Sequence, residues 1–148
     1  MSTLNAILSD ANLSGAYRPT QGPKEIVRAA EAVKLAIVKL DLRGLRGKQQ
    51  FLTRLAKAFH CPSYFGMNWD ALSDCLRDLS WLNDHGWVLI LLNGQTFAAK
   101  NHDDFTTAID VLQTAAEYWR RHSKPFWIFF YGDKGWNPGL PGLPLPPP

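Results

Sequence analysis

Three compact apolar runs constrain this chain more than anything else in it: LAIVKLDL from Leu35 to Leu42, WVLILL from Trp87 to Leu92, and FWIFFY from Phe126 to Tyr131. Each is too short for a typical helix and too continuous for a strand with one face in water, so each reads as a strand of a parallel sheet buried on both faces. Parallel strands need long crossovers, and the sequence supplies them. Between the first two runs, Phe51, Leu52, Leu55, Ala58 and Phe59 stand at helical spacing within Gly47 to Phe59, and a second helix begins at Trp69. Between the second and third, Phe105, Ala108, Ile109, Leu112, Ala115 and Trp119 form an apolar stripe running to His122. Asp103 and Asp104 suit the positive N-terminal end of that helix, and Arg120, Arg121 and His122 suit its C-terminal end. The order strand, helix, helix, strand, helix, strand predicts an α/β domain with a three-stranded parallel sheet, right-handed crossovers and a covering of helices.

Both ends differ in texture from this central part, residues 35–131. Residues 1–34 form an N-terminal extension without sustained periodicity as far as Gly22, expected to be partly mobile. A short helix is expected near 23–33, with Pro23 at its first position and Ile26, Val27, Ala30 and Val33 leaning on the domain. Residues 132–148 are rich in Gly and Pro, cannot continue a helix or sheet, and are expected to be disordered. Their PxxP spacing would also suit a polyproline-binding groove.

At 148 residues, 46% hydrophobic and 20% charged, the chain has the material for one domain with its own core. Cys61 and Cys75 lack a CxxC spacing, and His60 and His85 do not complete a zinc pattern, so buried thiols in a reduced, cytoplasmic, monomeric protein are expected, with no metal or cofactor. There is no apolar run near the ~20 residues of a membrane span and no secretory leader pattern. Nothing resembles a Gly-rich phosphate loop or a GxSxG elbow, so catalysis is not expected.

The segment Tyr64 to Cys75, YFGMNWDALSDC, carries the chemistry. Asn68 is a good N-cap, and Trp69 to Leu79 then show helical periodicity. At about 100° per residue, Trp69, Ala71, Leu72, Cys75, Leu76 and Leu79 fall on one side, while Asp70, Asp74 and Asp78 fall on the other. Like charges four apart cost an isolated helix about 0.2–0.5 kcal/mol per pair. Asp70 is compensated by its place in the first turn, and Arg77 can pair with Asp74. Taken alone, this is a solvated acidic face.

Pro62, Tyr64, Phe65, Gly66, Asn68, Asp70, Ala71, Leu72, Asp74, Cys75 and Leu76, in that order and without a gap, resemble the barstar family of ribonuclease inhibitors, and the resemblance covers roughly Leu35 to Tyr131. It implies the same α/β architecture and a ribonuclease, or a toxin nuclease for which the chain is an immunity protein, as partner. Asp74 matches the aspartate that enters the nuclease phosphate site, Asp70 a supporting aspartate, and Tyr64 an aromatic that stacks on a catalytic histidine. Gly66 keeps the turn tight. Asn68, Ser73 and Arg77 belong to the same edge, and Glu117 is placed as a peripheral carboxylate. Ser73 and Leu79 stand at family tryptophan positions, and Met67 replaces an acidic residue. The net charge of +3 and pI near 9.0 come mainly from residues 11–60, so a locally acidic face on a basic body is expected. That basic half, with Arg43, Arg46 and Lys48, is the basis of an alternative reading as a nucleic-acid binder.

Overall fold

The computed structural model describes residues 3–62 and 66–143. In chain order these form α1 (Thr3–Leu8), a 3-10 turn (Ala11–Leu13), β1 (Ala16–Tyr17), α2 (Pro23–Ala32), β2 (Ala36–Asp41), α3 (Lys48–Ala58), α4 (Trp69–Leu76), β3 (Trp87–Leu92), α5 (Gln95–Lys100), α6 (His102–Arg121) and β4 (Phe126–Phe130). The three apolar runs are β2, β3 and β4. They pair in parallel, with Val38 beside Leu89 and Leu89 beside Ile128. The sheet has four strands rather than three, in the order β1-β4-β3-β2. β1 adds Ala16 beside Ile128 and Tyr17 beside Phe129, and a strand of two residues has no periodicity to announce it.

Side chains alternate across the sheet and meet a helical layer on each face. Trp87, Leu89, Leu91, Phe126, Ile128 and Phe130 pack with Leu52, Leu55, Leu72, Leu76, Leu112 and Trp119 from α3, α4 and α6. Val88, Ile90, Trp127 and Phe129 point the other way, onto Ile7 and Leu8 of α1 and Ile26, Ala29 and Ala30 of α2. Double burial is why the runs of β3 and β4 carry no polar alternation, whereas β2, expected to be buried on both faces, lies at the sheet edge and exposes Lys39 and Asp41. The N-terminal segment, expected to be partly mobile, is therefore the cover of the second face. Its backbone is tied down as well: Trp127 Nε1 donates to Leu8 O at 2.9 Å, Tyr131 OH to Gln21 O at 2.7 Å, and Arg120 Nη2 to Ser14 O at 2.7 Å. α2 matches the expected short helix, with Pro23 at its first turn.

The Gly/Pro-rich tail departs from the expected disorder as far as Leu143. Trp136 packs on Phe105 with ring centroids 6.0 Å apart, and Leu140 is buried. Pro141 O accepts from Arg18 N at 2.8 Å, and Arg18 bridges Gly142 in parallel. Proline lacks a donor, but its carbonyl remains, and here it covers the outer edge of β1. Residues 144–148 lie outside the described residues. Among the described residues no helix is long and apolar enough to cross a membrane.

Candidate functional site

Asn68 takes an extended conformation (φ −146°, ψ 170°), and its Oδ1 accepts from Ala71 N at 2.8 Å, as an N-cap does. A Cβ at Gly66 would sit 3.2 Å from Asn68 Nδ2 and crowd the capping side chain. α4 buries Leu72, Cys75 and Leu76, and Trp69 leans on Phe51 with ring centroids 5.9 Å apart. The helix stops at Leu76, three residues before the expected Leu79. Leu79 itself adopts φ 50° so that its buried side chain still reaches the core. Trp119 Nε1 of α6 donates to Leu76 O at 2.7 Å, satisfying one of the free carbonyls at that end. Asp78 consequently leaves the carboxylate row, and its Oδ1 accepts from Ser80 N at 3.3 Å. The helical row is Asp70 and Asp74.

Both aspartates are exposed and share a shallow open depression with Lys48, Gly66, Asn68, Trp69 and Ala71. Asp74 Oδ1 accepts from Arg77 Nη2 at 2.8 Å, with the two side chains 62% and 39% exposed. Arg77 Nε also donates to the carbonyl of the half-buried Ser73 at 3.3 Å. In an adjoining hollow, Arg77 meets Thr114, Glu117, Tyr118 and Arg121, and Glu117 pairs with Arg121 at 2.7 Å. The structure thus brings Gly66, Asn68, Asp70, Ser73, Asp74 and Arg77 onto one edge, with Glu117 beside it. It does not make that edge acidic. Lys48, Arg77 and Arg121 stand among Asp70, Asp74 and Glu117, a mixing that helical spacing shows for Arg77 and Arg121 but not for Lys48, which comes from α3. Tyr64 and Phe65 fall outside the described residues.

Two features of the edge escaped the sequence reading. Met67 is 44% exposed just ahead of the N-cap, with Thr53 Oγ1 3.9 Å from its Sδ. Cys61 and Cys75, expected as free thiols, form a disulfide with Cα atoms 6.1 Å apart. α3 ends at Ala58 and His60 turns the chain with φ 56°, which swings Cys61 beneath the buried side of α4. The spacing of 14 residues has no meaning until that reversal is known. The expectation of a reduced interior, and with it that support for a cytoplasmic location, falls away.

The basic residues after β2 are partly engaged with their own loop. Asp41 Oδ1 accepts from Asn93 Nδ2 at 2.7 Å and from Arg43 N at 2.9 Å, and these bonds hold its carboxyl below the usual range. Arg54 Nη1 donates to Asp41 O at 3.2 Å. Among the described residues no three His, Cys, Asp or Glu side chains are grouped so as to hold a metal ion.

Comparison with known proteins adds one strong finding and one modest one. Residues 35–131 match the family model described as Barstar (barnase inhibitor). No curated protein matches the sequence. Among solved structures, a chain in the structure of Drosophila ORC bound to AT-rich DNA and Cdc6 superposes with a TM-score of 0.51 at 11% identity, covering 89% of this chain and 42% of its own length. A chain in the structure of Drosophila ORC bound to DNA gives 0.51 at 9% identity, covering 88% and 72%. At such identities these likenesses concern the fold alone, and the chain spans less than half of the first of them.

Proposed function

Because this chain belongs to the barstar family, we propose that it inhibits a ribonuclease by occupying the enzyme's phosphate-binding cleft with the exposed acidic face of α4 and the aromatic loop that leads into it. A ribonuclease cleft must hold a polyanion and stabilise extra negative charge as the phosphate reacts, so it is lined with cations. A helix edge that offers carboxylates can fill those subsites without a bond to be cleaved. The observation that carries the reading is the placement, within the family-matched region, of Asp70 and Asp74 exposed one turn apart on a helix whose other face is buried. Asp74 takes the central phosphate subsite and Asp70 supports it. Gly66 and Asn68 hold the approach, Tyr64 supplies the aromatic that stacks on a catalytic histidine, and Ser73, Arg77 and Glu117 border the contact. The role is that of a binding protein rather than an enzyme, and a toxin nuclease with this chain as its immunity protein fits the same chemistry.

The test is a capture and inhibition assay using barnase and a ribonuclease-containing lysate, with wild type and Asp70→Ala/Asp74→Ala. Truncating Asp74 alone should cost about 2–5 kcal/mol of binding, or about 30- to 5,000-fold in Kd. A wild type that captures and inhibits no ribonuclease, or a double variant that inhibits equally well, overturns the reading.

A further inference from the structure

The disulfide stands where the proposed contact is built. Cys75 lies on α4 between Asp74 and Leu76, buried to 1% exposure. Cys61 is half-buried in the segment that follows α3. The bond joins the segment just after α3 to the last turn of α4, and the chain it closes carries Gly66, Met67, Asn68, Asp70 and Asp74. A small apolar hollow is lined by both cysteines together with Ala56, Gly66, Met67 and Ala71, so the approach to α4 and the bond border the same space.

The two ends of α4 do not depend on this bond equally. Its C-terminal half is docked on α6 independently, through Leu72 and Leu76 in the core and the Trp119 Nε1 bond to Leu76 O. Its N-terminal approach has a thinner hold. Trp69 packs on Phe51, and Asn68 caps its own helix. A covalent link across a loop removes conformations that the chain would otherwise explore, and a surface ordered before it meets its partner loses less entropy on binding.

We propose that Cys61 and Cys75 are positioning residues: their disulfide holds residues 66–70 in the binding arrangement, so that inhibition depends on the thiol redox state. The inference rests on the ribonuclease-inhibitor reading given above. A dithiol reductant supplies the electrons. Its thiolate attacks Sγ of Cys61, the more accessible sulfur, and Cys75 departs as a thiolate and takes up a proton. The reductant's second thiol then displaces Cys61 and closes into its own disulfide, so two electrons and two protons pass to the protein. Cys75 remains in the core as a thiol and Cys61 N still donates to Ala56 O at 2.8 Å, while residues 66–70 lose the covalent link that closes their loop. Asp74 keeps its place and Asp70, one turn nearer the freed approach, does not.

The experiment uses the full chain, air-oxidised or reduced with dithiothreitol, with Cys61→Ser as the permanently open form. Amide hydrogen exchange is read over residues 66–71 and, as reference, over β3 and β4. Inhibition of barnase, or of the ribonuclease captured by wild type, is measured in each state. Reduction should speed exchange over 66–71 while the strands stay protected, and should weaken inhibition by about tenfold or more, as loss of preorganisation does. Asp70→Ala should then cost less in the reduced protein than in the oxidised one, with Asp74→Ala costing the same in both, a coupling that a merely structural bond would not produce. Unchanged exchange over 66–71, faster exchange spread over the whole sheet, or two titratable thiols remaining after air oxidation overturns the proposal. So does equal inhibition by both redox states. Loss of protection on reduction, with no ribonuclease inhibited in either state, instead marks the failure of the inhibitor reading.

Discussion

The β1 side of the molecule and the α4 edge are held by opposite means. On the β1 side, groups far apart in sequence are joined through buried or half-buried bonds, Trp127 to Leu8 O and Tyr131 to Gln21 O, and α1 lays Ile7 and Leu8, at 2% and 0% exposure, on the sheet. On the exposed face of the α4 edge the polar bonds are local, Ala71 N to Asn68, Arg77 to Asp74, Arg121 to Glu117, and only behind it does the buried Trp119 reach Leu76 O. A buried donor must find its partner in the fold or lose the bond entirely. An exposed ion pair is screened and easily exchanged. The contrast separates two tasks, with stability resting on the side where bonds cannot be traded and the proposed recognition on the side where they can.

The largest expected effect tests the stabilising half of that contrast. Leu8→Ala removes a fully buried side chain from the second face of the sheet and should cost about 2–5 kcal/mol in denaturant unfolding, with inhibition per folded molecule unchanged. A loss near zero means that α1 is not a working part of the core. At the other side, Asn68→Ala should cost only about 1 kcal/mol, since it removes one cap bond from a helix still docked on α6. Its effect on inhibition should exceed that of Leu8→Ala, because Asp70 lies in the turn that frays. The reverse ranking would break the division of tasks.

Alkaline titration probes the same contrast more gently. Burial, and secondarily the nearby Glu25, raise the pKa of Tyr131, and burial outweighs the opposing Arg120 in raising that of Tyr17. A raised folded-state pKa means that the native protein retains a proton which the unfolded chain releases near pH 10. The stability due to each tyrosine is therefore complete below about pH 10 and falls as pH rises from there towards the folded-state value. Urea midpoints followed from pH 8 to 11 should decline in wild type and decline less steeply in Tyr131→Phe. Identical slopes would show that Tyr131 is not the group responsible.

Much of this was legible in the sequence because the signals were local. β3 and β4 show as unbroken apolar runs, β2 as a mostly apolar one interrupted by Lys39 and Asp41, α6 by the stripe from Phe105 to Trp119, and the cap of α4 by Asn68. The second cover is legible in part, as the helix from Pro23 leaning on the domain: runs as continuous as WVLILL need apolar neighbours on both faces, and α1 joins α2 in supplying them on the side that α3, α4 and α6 leave open. β1 and the docking of Trp136 and Leu140 depend on long-range pairing that no window of sequence contains. At the candidate site, spacing was enough to align Asp70, Asp74 and Arg77. The Cys61–Cys75 bond and the intrusion of Lys48 required the fold, since each joins α3 or its end to α4.

The smallest effect concerns what a partner must displace. Arg77 pairs with Asp74 across an exposed surface, and such pairs contribute about 0–1 kcal/mol to stability. In the free protein, however, Arg77 occupies the carboxylate that the proposed contact needs, so every binding event must exchange that guanidinium for a cation of the nuclease. Arg77→Ala should leave the unfolding midpoint almost unchanged while removing a positive charge that repels a basic cleft, and charges at a contact rim act chiefly on the association rate. Association measured at low ionic strength should therefore be faster by a factor of a few, with the gain shrinking as salt is added. Slower association, or a gain indifferent to salt, would place Arg77 among the groups that hold the partner and leave Asp74 with a different cation to find.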